Sequence, residues 1–511
     1  MKNKNRKKHS IKRRFIPWIA LLFLATLCFF SAKWYMATYG DVGFDAIIFS
    51  LMANVSGTEA GIVWNFIYTA LIPAIAFAIL LWVFLFYRTK VTLNINFFKN
   101  HKCQVYPFRN SISRAFCILI SLVLIAYAML SCGLYGYIKA VSDESELYQT
   151  TYVDPNSVDI KFPEQKQNLI YIYTESMETT FFSTEHGGVF EEDIIPELYN
   201  LANDNINFSH NDTIGGGRAT YGTTWTAGAM VSQTSGTPLK LPVSIDGIPF
   251  KSTKKFMPGL ATLSNILKDN GYYQALMVGS DSHFGNRYEY YTQHGTDKVY
   301  DLATAPEDGI IPEGYKVWWG FEDKYLFEYA KQELPKIASK GEPFAFTMLT
   351  VDTHFPDGYT CDLCGDKYEE PYNNVYACSS KQIYEFVEWI KTQEFYKNTT
   401  IIISGDHPTM DEKYASDNIP EDNERRLYNC IINSRVEATN NKNREFTNFD
   451  MFPTTLAAMG CKIKGDRLGL GTNLFSGKKT LCEEYGFDNL CYEVSRTSEY
   501  YNKKFLNNYK D

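Results

Sequence analysis

Three long runs without a charged residue, Phe15 to Ala32, Gly61 to Tyr87 and Ala115 to Ile138, constrain this chain more than any other feature. Each is near the ~20 residues that a helix needs to cross a bilayer. A buried core helix of a water-soluble protein is a poor account of the second run, because twenty-seven successive uncharged residues would be unusual there. The first run, behind a basic arm, also has the outline of a signal peptide. It is long for one, and no clean small-x-small cleavage site follows. The expected spans are about 15–37, 61–87 and 115–138, within an N-terminal membrane domain of residues 1–140.

Charge orients these spans. From Met1 to Arg14 every charge is positive, whereas the chain as a whole carries a formal charge of −8. Arg88, Lys90, Lys99, Lys102, Arg109 and Arg114 crowd the second connection, and Asp41, Asp45 and Glu59 lie in the first. The positive-inside rule then places the N-terminus and the second connection in the cytoplasm. With three spans, everything after residue 138 is outside, extracellular or periplasmic, on a multi-pass plasma-membrane protein. Hydrophobic sequence directly after the basic arm favours a membrane over nucleic acid as its partner.

Beyond the spans, 141–167 is polar, mixed in charge and interrupted by Pro155 and Pro163, which reads as a linker. From 168 to 491, apolar β-rich runs (168–174, 272–279, 343–351, 400–404) alternate with helical spacing at 322–334 and 380–392. That alternation predicts an α/β domain around a mainly parallel sheet. Residues 492–511 read as a loosely packed polar tail.

The polar residues of interest sit just past the predicted strands: Glu175, Asp281, His354, and the pair Asp406-His407. Ligand sites in open α/β sheets form at the carboxyl ends of strands, so these residues are expected to converge. Glu175, Asp406 and His407 offer two hard oxygens and an imidazole, a set that suits Mn²⁺ or Zn²⁺ better than Ca²⁺. Thr226, in Gly222-Thr-Thr-Trp-Thr-Ala-Gly-Ala-Met230, is expected at a helix N-terminus, where a phosphate is favoured over a hydroxyl. A metal would lower that hydroxyl's pKa and make threonine a usable nucleophile. Each piece also has a plain structural reading: Ser404-Gly-Asp-His-Pro as a capping turn, Glu175 paired with an arginine, His354 packing its turn.

Taken as an ordered set, Tyr173-Thr-Glu-Ser-Met-Glu, Trp225-Thr-Ala-Gly-Ala-Met-Val-Ser-Gln, Asp352-Thr-His-Phe-Pro and Ser404-Gly-Asp-His resemble the sulfatase-like phosphotransferases of the alkaline phosphatase superfamily. Within that group the chain is similar to the phosphoglycerol transferases: the lipoteichoic acid synthases and phosphoglycerol transferase I. Asn448-Phe-Asp-Met-Phe-Pro-Thr-Thr-Leu and Arg467-Leu-Gly-Leu-Gly-Thr-Asn-Leu-Phe-Ser extend the similarity, which runs from about 168 to 477. The resemblance implies one divalent ion, Mn²⁺ before Zn²⁺ or Mg²⁺, on Glu175, Asp406, His407 and Thr226. It further implies Thr226 as covalent nucleophile, His354 as substrate contact or proton donor, and Arg287 as a substrate arginine. Gly285, where the synthases have Trp, makes this last segment look more like the glucan-modifying enzymes. A sulfatase proper would carry Cys or Ser in a Cys/Ser-x-Pro-x-Arg setting, and none is present.

The function so implied is transfer of phosphoglycerol from phosphatidylglycerol to a hydroxyl of an extracellular glycan or polyglycerolphosphate-type polymer. The alternatives are a phosphoethanolamine transferase on the same fold and an inactive membrane-anchored binding protein. Of the eleven cysteines, Cys361, Cys364, Cys378, Cys430, Cys461, Cys482 and Cys491 lie in the outer part. Cys361-x-x-Cys364 with Cys378 suggests zinc but lacks a near fourth ligand, and an exported domain favours disulfides. A bridge shaping an acceptor loop after His354 is therefore expected, with Cys430 in a buried strand.

Overall fold

The computed structural model describes residues 16–40, 44, 47–48, 60–86, 93–96, 102–105, 110–240 and 256–507. They form two compact units, residues 1–43 with 59–136 and residues 44–58 with 137–511. The basic arm and most charges behind the expected orientation (Asp41, Asp45, Glu59, Arg88, Lys90, Lys99, Arg109) lie outside the described residues.

The first unit contains α1 (Ile16–Tyr39), α2 (Ala60–Phe86, with a π turn at Ile67–Leu71) and α3 (Asn110–Ser131). Each contains a stretch long and apolar enough to cross a membrane. Small residues let the helices approach: Ala25 and Ala74 are fully buried, and Thr26 Oγ1 donates to the Ala74 carbonyl at 3.0 Å. Leu24, Leu80, Phe84 and Leu122 instead face outward, as apolar side chains do against lipid. The third helix differs from the expected 115–138. It begins at Asn110, because Ser111 to Arg114 also suit a helical first turn, and it ends at Ser131. Gly133, at φ 77°, breaks it before a second helix at Leu134–Ser142.

The second unit is built on a six-stranded sheet. Its strands are β1 (Asn168–Thr174), β2 (Tyr273–Val278), β3 (Lys298–Tyr300), β4 (Phe344–Leu349), β5 (Thr399–Gly405) and β6 (Asn429–Ile432), in the order β3-β2-β4-β1-β5-β6. All pairings are parallel except β5–β6. The central strands are nearly continuous apolar runs because both faces are covered. Ile170, Ile172, Ile401 and Ile403 pack in one core with residues of α5 (Asp323–Ala338) and α6 (Pro371–Lys391). On the opposite face Tyr171 hydrogen-bonds Gln233 of α4 (Thr226–Ser235) at 2.6 Å. α4 in turn packs on α7 (Met451–Ala458). The mainly parallel α/β sheet expected from the sequence is present.

Two segments expected to be loose are ordered parts of this unit. Ile160–Lys161 pairs with Lys462–Ile463, and Val153 bonds Gly469 in both directions. At the other end Tyr501 and Phe505 are buried against Tyr148. The linker and tail readings failed because these aromatic and strand partners are hundreds of residues apart in the chain.

Candidate metal and phosphoryl-transfer site

Register brings the chemistry together. Thr174 pairs with Gly405, Tyr173 with Leu349, and Val278 with Leu349. The carboxyl ends of β1, β5, β4 and β2 therefore form one edge, and the first residues past them are Glu175, Asp406, the 350–354 turn and Ser280-Asp281. Gly405 is needed at this edge: a Cβ there would lie 2.1 Å from the Met177 carbonyl oxygen.

Glu175, Asp406 and His407 are at most 1% exposed, and one ligand atom from each lies within 4.8 Å of the others. His407 Nε2 is 3.3 Å from both Glu175 Oε1 and Asp406 Oδ2. His407 Nδ1 donates to the Pro408 carbonyl at 2.8 Å, which fixes the tautomer and leaves Nε2 as the lone-pair atom when the ring is neutral. Asp406 Oδ1 accepts the backbone N–H groups of Ser176 and His407, each at 2.8 Å. Its Oδ2 is buried with no hydrogen-bond partner. A buried oxygen of this kind is costly unless a proton or a cation satisfies it. The residues present thus fit a divalent metal ion.

Electrostatics point the same way. Burial raises the Asp406 carboxyl above its ordinary range, and the Glu175 charge adds to the rise. Burial opposes charge on Glu175 as well, but His354 and His407 outweigh it and hold Glu175 low. His407 is raised, since Asp406 and Glu175 overcome its desolvation. Two acids in one dry site keep a proton between them unless positive charge is supplied.

Thr226 is the first residue of α4, and Trp225 before it is extended. Helix starts direct unpaired N–H groups and partial positive charge outward. The Thr226 Oγ1 donates to Glu175 Oε2 at 3.2 Å and is 3.2 Å from His407 Nε2. The turn entering the helix requires Gly222, at φ 76°, where a Cβ would come within 3.0 Å of both Pro238 Cβ and the Leu239 carbonyl.

His354 Nδ1 bonds the Phe355 carbonyl at 2.7 Å, and its ring lies 4.4 Å from that of Trp319. Burial lowers its pKa, with Glu175 opposing the shift. With Nδ1 so engaged, Nε2 is the ring's second polar atom. Arg287 is buried; Nε bonds the Phe284 carbonyl, and Nη2 bonds Ser280 Oγ and the Asp281 carbonyl. Its guanidinium is lowered to about 10 by burial, with Glu175 the first opposing charge. Asp281 Oδ1 accepts the His283 N–H at 2.9 Å.

Several supporting residues escaped sequence reasoning. Ser176, at φ 53°, donates Oγ to Glu175 Oε1 at 2.9 Å. Thr350 and Thr353 clamp the Glu175 main chain on both sides, and Asn448 donates to the Asp406 carbonyl. Their signal was faint: small polar residues inside or beside the recognised motifs.

No described cysteine pair is joined by a disulfide; the Sγ atoms of Cys361 lie 3.7 Å from Cys364 and 3.8 Å from Cys378. The expected bridge after His354 is thus not formed. Cys430 lies, as expected, in a buried strand.

Comparisons with known proteins agree with this architecture. Phosphoglycerol transferase I of Escherichia coli O6:K15:H31 is 33% identical over 279 residues, covering 53% of this chain and 35% of the relative. The Citrobacter koseri protein of the same name is 32% identical over 265 residues, covering 51% and 33%. The match therefore spans about a third of the length of these curated relatives. Among solved structures, the integral membrane lipooligosaccharide phosphoethanolamine transferase A of Neisseria meningitidis superposes with a TM-score of 0.51 at 12% identity, over 87% of this chain and 84% of that one. Residues 167–461, more than half of the sequence, match the sulfatase family, and the chain belongs to that family.

Proposed function

We propose that this protein is a membrane-anchored, metal-dependent phosphoglycerol transferase. In this reading it takes the group from phosphatidylglycerol, and the acceptor is a hydroxyl of an extracellular glycan or polyglycerolphosphate-type polymer. The observation that carries it is one hydroxyl, Thr226 Oγ1, 3.2 Å from both Glu175 Oε2 and His407 Nε2 at a helix start, beside Asp406 Oδ2, which makes no hydrogen bond. The resemblance to phosphoglycerol transferases I, at 33% identity, supports the choice of transferred group.

Glu175, Asp406, His407 and Thr226 would hold one divalent ion, with Mn²⁺ the first expectation. When bound, the ion supplies Lewis-acid polarisation and a lowered hydroxyl pKa. The remaining work falls to the chain. Thr226 Oγ1 attacks phosphorus, its proton leaving along the hydrogen bond to Glu175 Oε2. The ester bond to diacylglycerol breaks as His354, loaded with a proton from solvent at Nε2, passes that proton to the departing oxygen. The phosphoglycerol group is then an ester of Thr226. An acceptor hydroxyl attacks the same phosphorus and its proton passes to His354 Nε2, while the bond to Thr226 breaks and Oγ1 recovers its proton from Glu175. Arg287, oriented by three hydrogen bonds to neighbouring carbonyls and Ser280, lends positive charge to the phosphate.

The anchor supports a lipid donor, because a tethered site meets a bilayer substrate at high effective concentration. In this scheme the N-terminus is cytoplasmic and the catalytic unit extracellular or periplasmic. The test is to supply radiolabelled phosphatidylglycerol and phosphatidylethanolamine separately to the purified protein with Mn²⁺. Turnover of the first alone is expected; turnover of the second alone would replace the proposed group by phosphoethanolamine.

A further inference from the structure

Behind the turn that carries His354, the chain gathers three sulfurs that the proposed reaction does not use. Cys361 and Cys364 lie on the loop between β4 and α6, and Cys378 is inside α6; Cys361 and Cys378 are buried and Cys364 is half-exposed. All three Sγ atoms lie within 4.8 Å of one another. We propose that Cys361, Cys364 and Cys378 form a second metal site, built for a thiophilic d¹⁰ cation of the Zn²⁺ kind, with its fourth position open to water.

The spacing is the first argument. Two thiolates bound at about 2.3 Å to one tetrahedral cation stand about 3.8 Å apart. Cys361 Sγ lies 3.7 Å from Cys364 Sγ and 3.8 Å from Cys378 Sγ. A disulfide needs about 2.0 Å and would use only two of the three sulfurs.

The surroundings are the second. Cys361-x-x-Cys364 has the sequence spacing of a zinc-binding turn, and the Cys364 N–H closes that turn on the Cys361 carbonyl at 3.1 Å. Gln382, one helical turn beyond, donates Nε2 to Cys378 Sγ at 3.3 Å. Donors of this kind orient and stabilise metal-bound thiolates. The half-exposed Cys364 marks the open side. On binding, the thiols give up their protons to solvent and the cation joins the loop to α6. The same loop carries Tyr359, which stacks on Trp318, itself 6.0 Å from the His354 ring. The cation would therefore pin one wall of the site.

The experiment uses the reduced, full-length protein in detergent, carrying Asp406→Asn so that the Glu175–Asp406–His407 site is impaired. Co²⁺ is added as the spectroscopic probe. A thiolate-to-cobalt charge-transfer absorption saturating at one equivalent, and bleached by Zn²⁺, is expected. Cys378→Ser should weaken Co²⁺ binding by more than about 100-fold. Should that variant fold poorly, the parent sequence provides a second readout: Zn²⁺ should slow alkylation of these three cysteines at least tenfold while Cys491 is unaffected. Absence of the charge-transfer band, zinc-independent alkylation, or a disulfide between any two of the three in protein isolated from cells would overturn the proposal.

Discussion

At the residue scale, the proposed nucleophile is one threonine at a helix start. Thr226→Ala keeps the helix start but removes the Oγ1 that reaches Glu175 and His407. It should lower transfer by more than about 10³-fold with little change in Tm, since loss of a covalent nucleophile disables the whole unit. Turnover of labelled lipid by that variant at even a tenth of the parental rate would remove Thr226 from the reaction. Asp450 makes a different prediction. It accepts the Thr447 and Thr472 N–H groups at 2.8 and 2.7 Å, yet burial lifts its pKa from 3.8 to about 7. The folded chain therefore holds a proton that the unfolded chain has lost between these values. Its stabilising contribution is complete below pH 4 and fades as pH rises through 7, by at most about 1.4 kcal/mol per pH unit. Asp450→Asn does not titrate, so its deficit in Tm against the parent should narrow from pH 5 to pH 8; a constant or widening gap contradicts this assignment.

At the element scale, the strand ends were legible because Leu-Ile-Tyr-Ile-Tyr-Thr and Ile-Ile-Ile-Ser-Gly are buried on both faces and end in residues that cannot stay apolar. The cluster of Glu175, Asp406 and His407 followed from those ends. Ser176 was not legible: nothing local marks a serine for φ 53°, and the carboxylate that its N–H meets, Asp406, is 230 residues away. The cysteine arrangement was equally hidden, since Cys378 is brought to Cys361 by the packing of α6 rather than by spacing. The third apolar run shows the opposite error, hydropathy continuing past Gly133 where the backbone turns. Gly405 ties strand to site. Gly405→Ala would press a methyl onto the Met177 carbonyl at 2.1 Å, and backbone on both sides cannot rotate away. A loss of about 1–3 kcal/mol is expected, with Mn²⁺ affinity reduced because Asp406 is displaced; parental Tm and parental affinity together would refute it.

At the scale of the whole molecule, three apolar helices precede an α/β unit of the sulfatase family, a division evident from charge and hydropathy alone. What sequence could not supply was the integration of 147–161 and 499–507 into that unit, because Tyr148 meets Tyr501 and Phe505 only through the tertiary fold. Metal should stabilise the catalytic unit by linkage: Mn²⁺ at 100 times its Kd adds about 2.7 kcal/mol. The resulting rise in Tm should vanish on chelation and in Asp406→Ala. An unchanged rise in that variant would place the ion elsewhere. The proposed reaction rests finally on a covalent intermediate, and the most direct measurement is the mass of the peptide containing Thr226 after brief incubation with phosphatidylglycerol and Mn²⁺, quenched in acid. The prediction is a gain of one phosphoglycerol group, esterified at Thr226 and absent from Thr226→Ala. Continuing transfer with that peptide unmodified, or with the group on another residue, would contradict it.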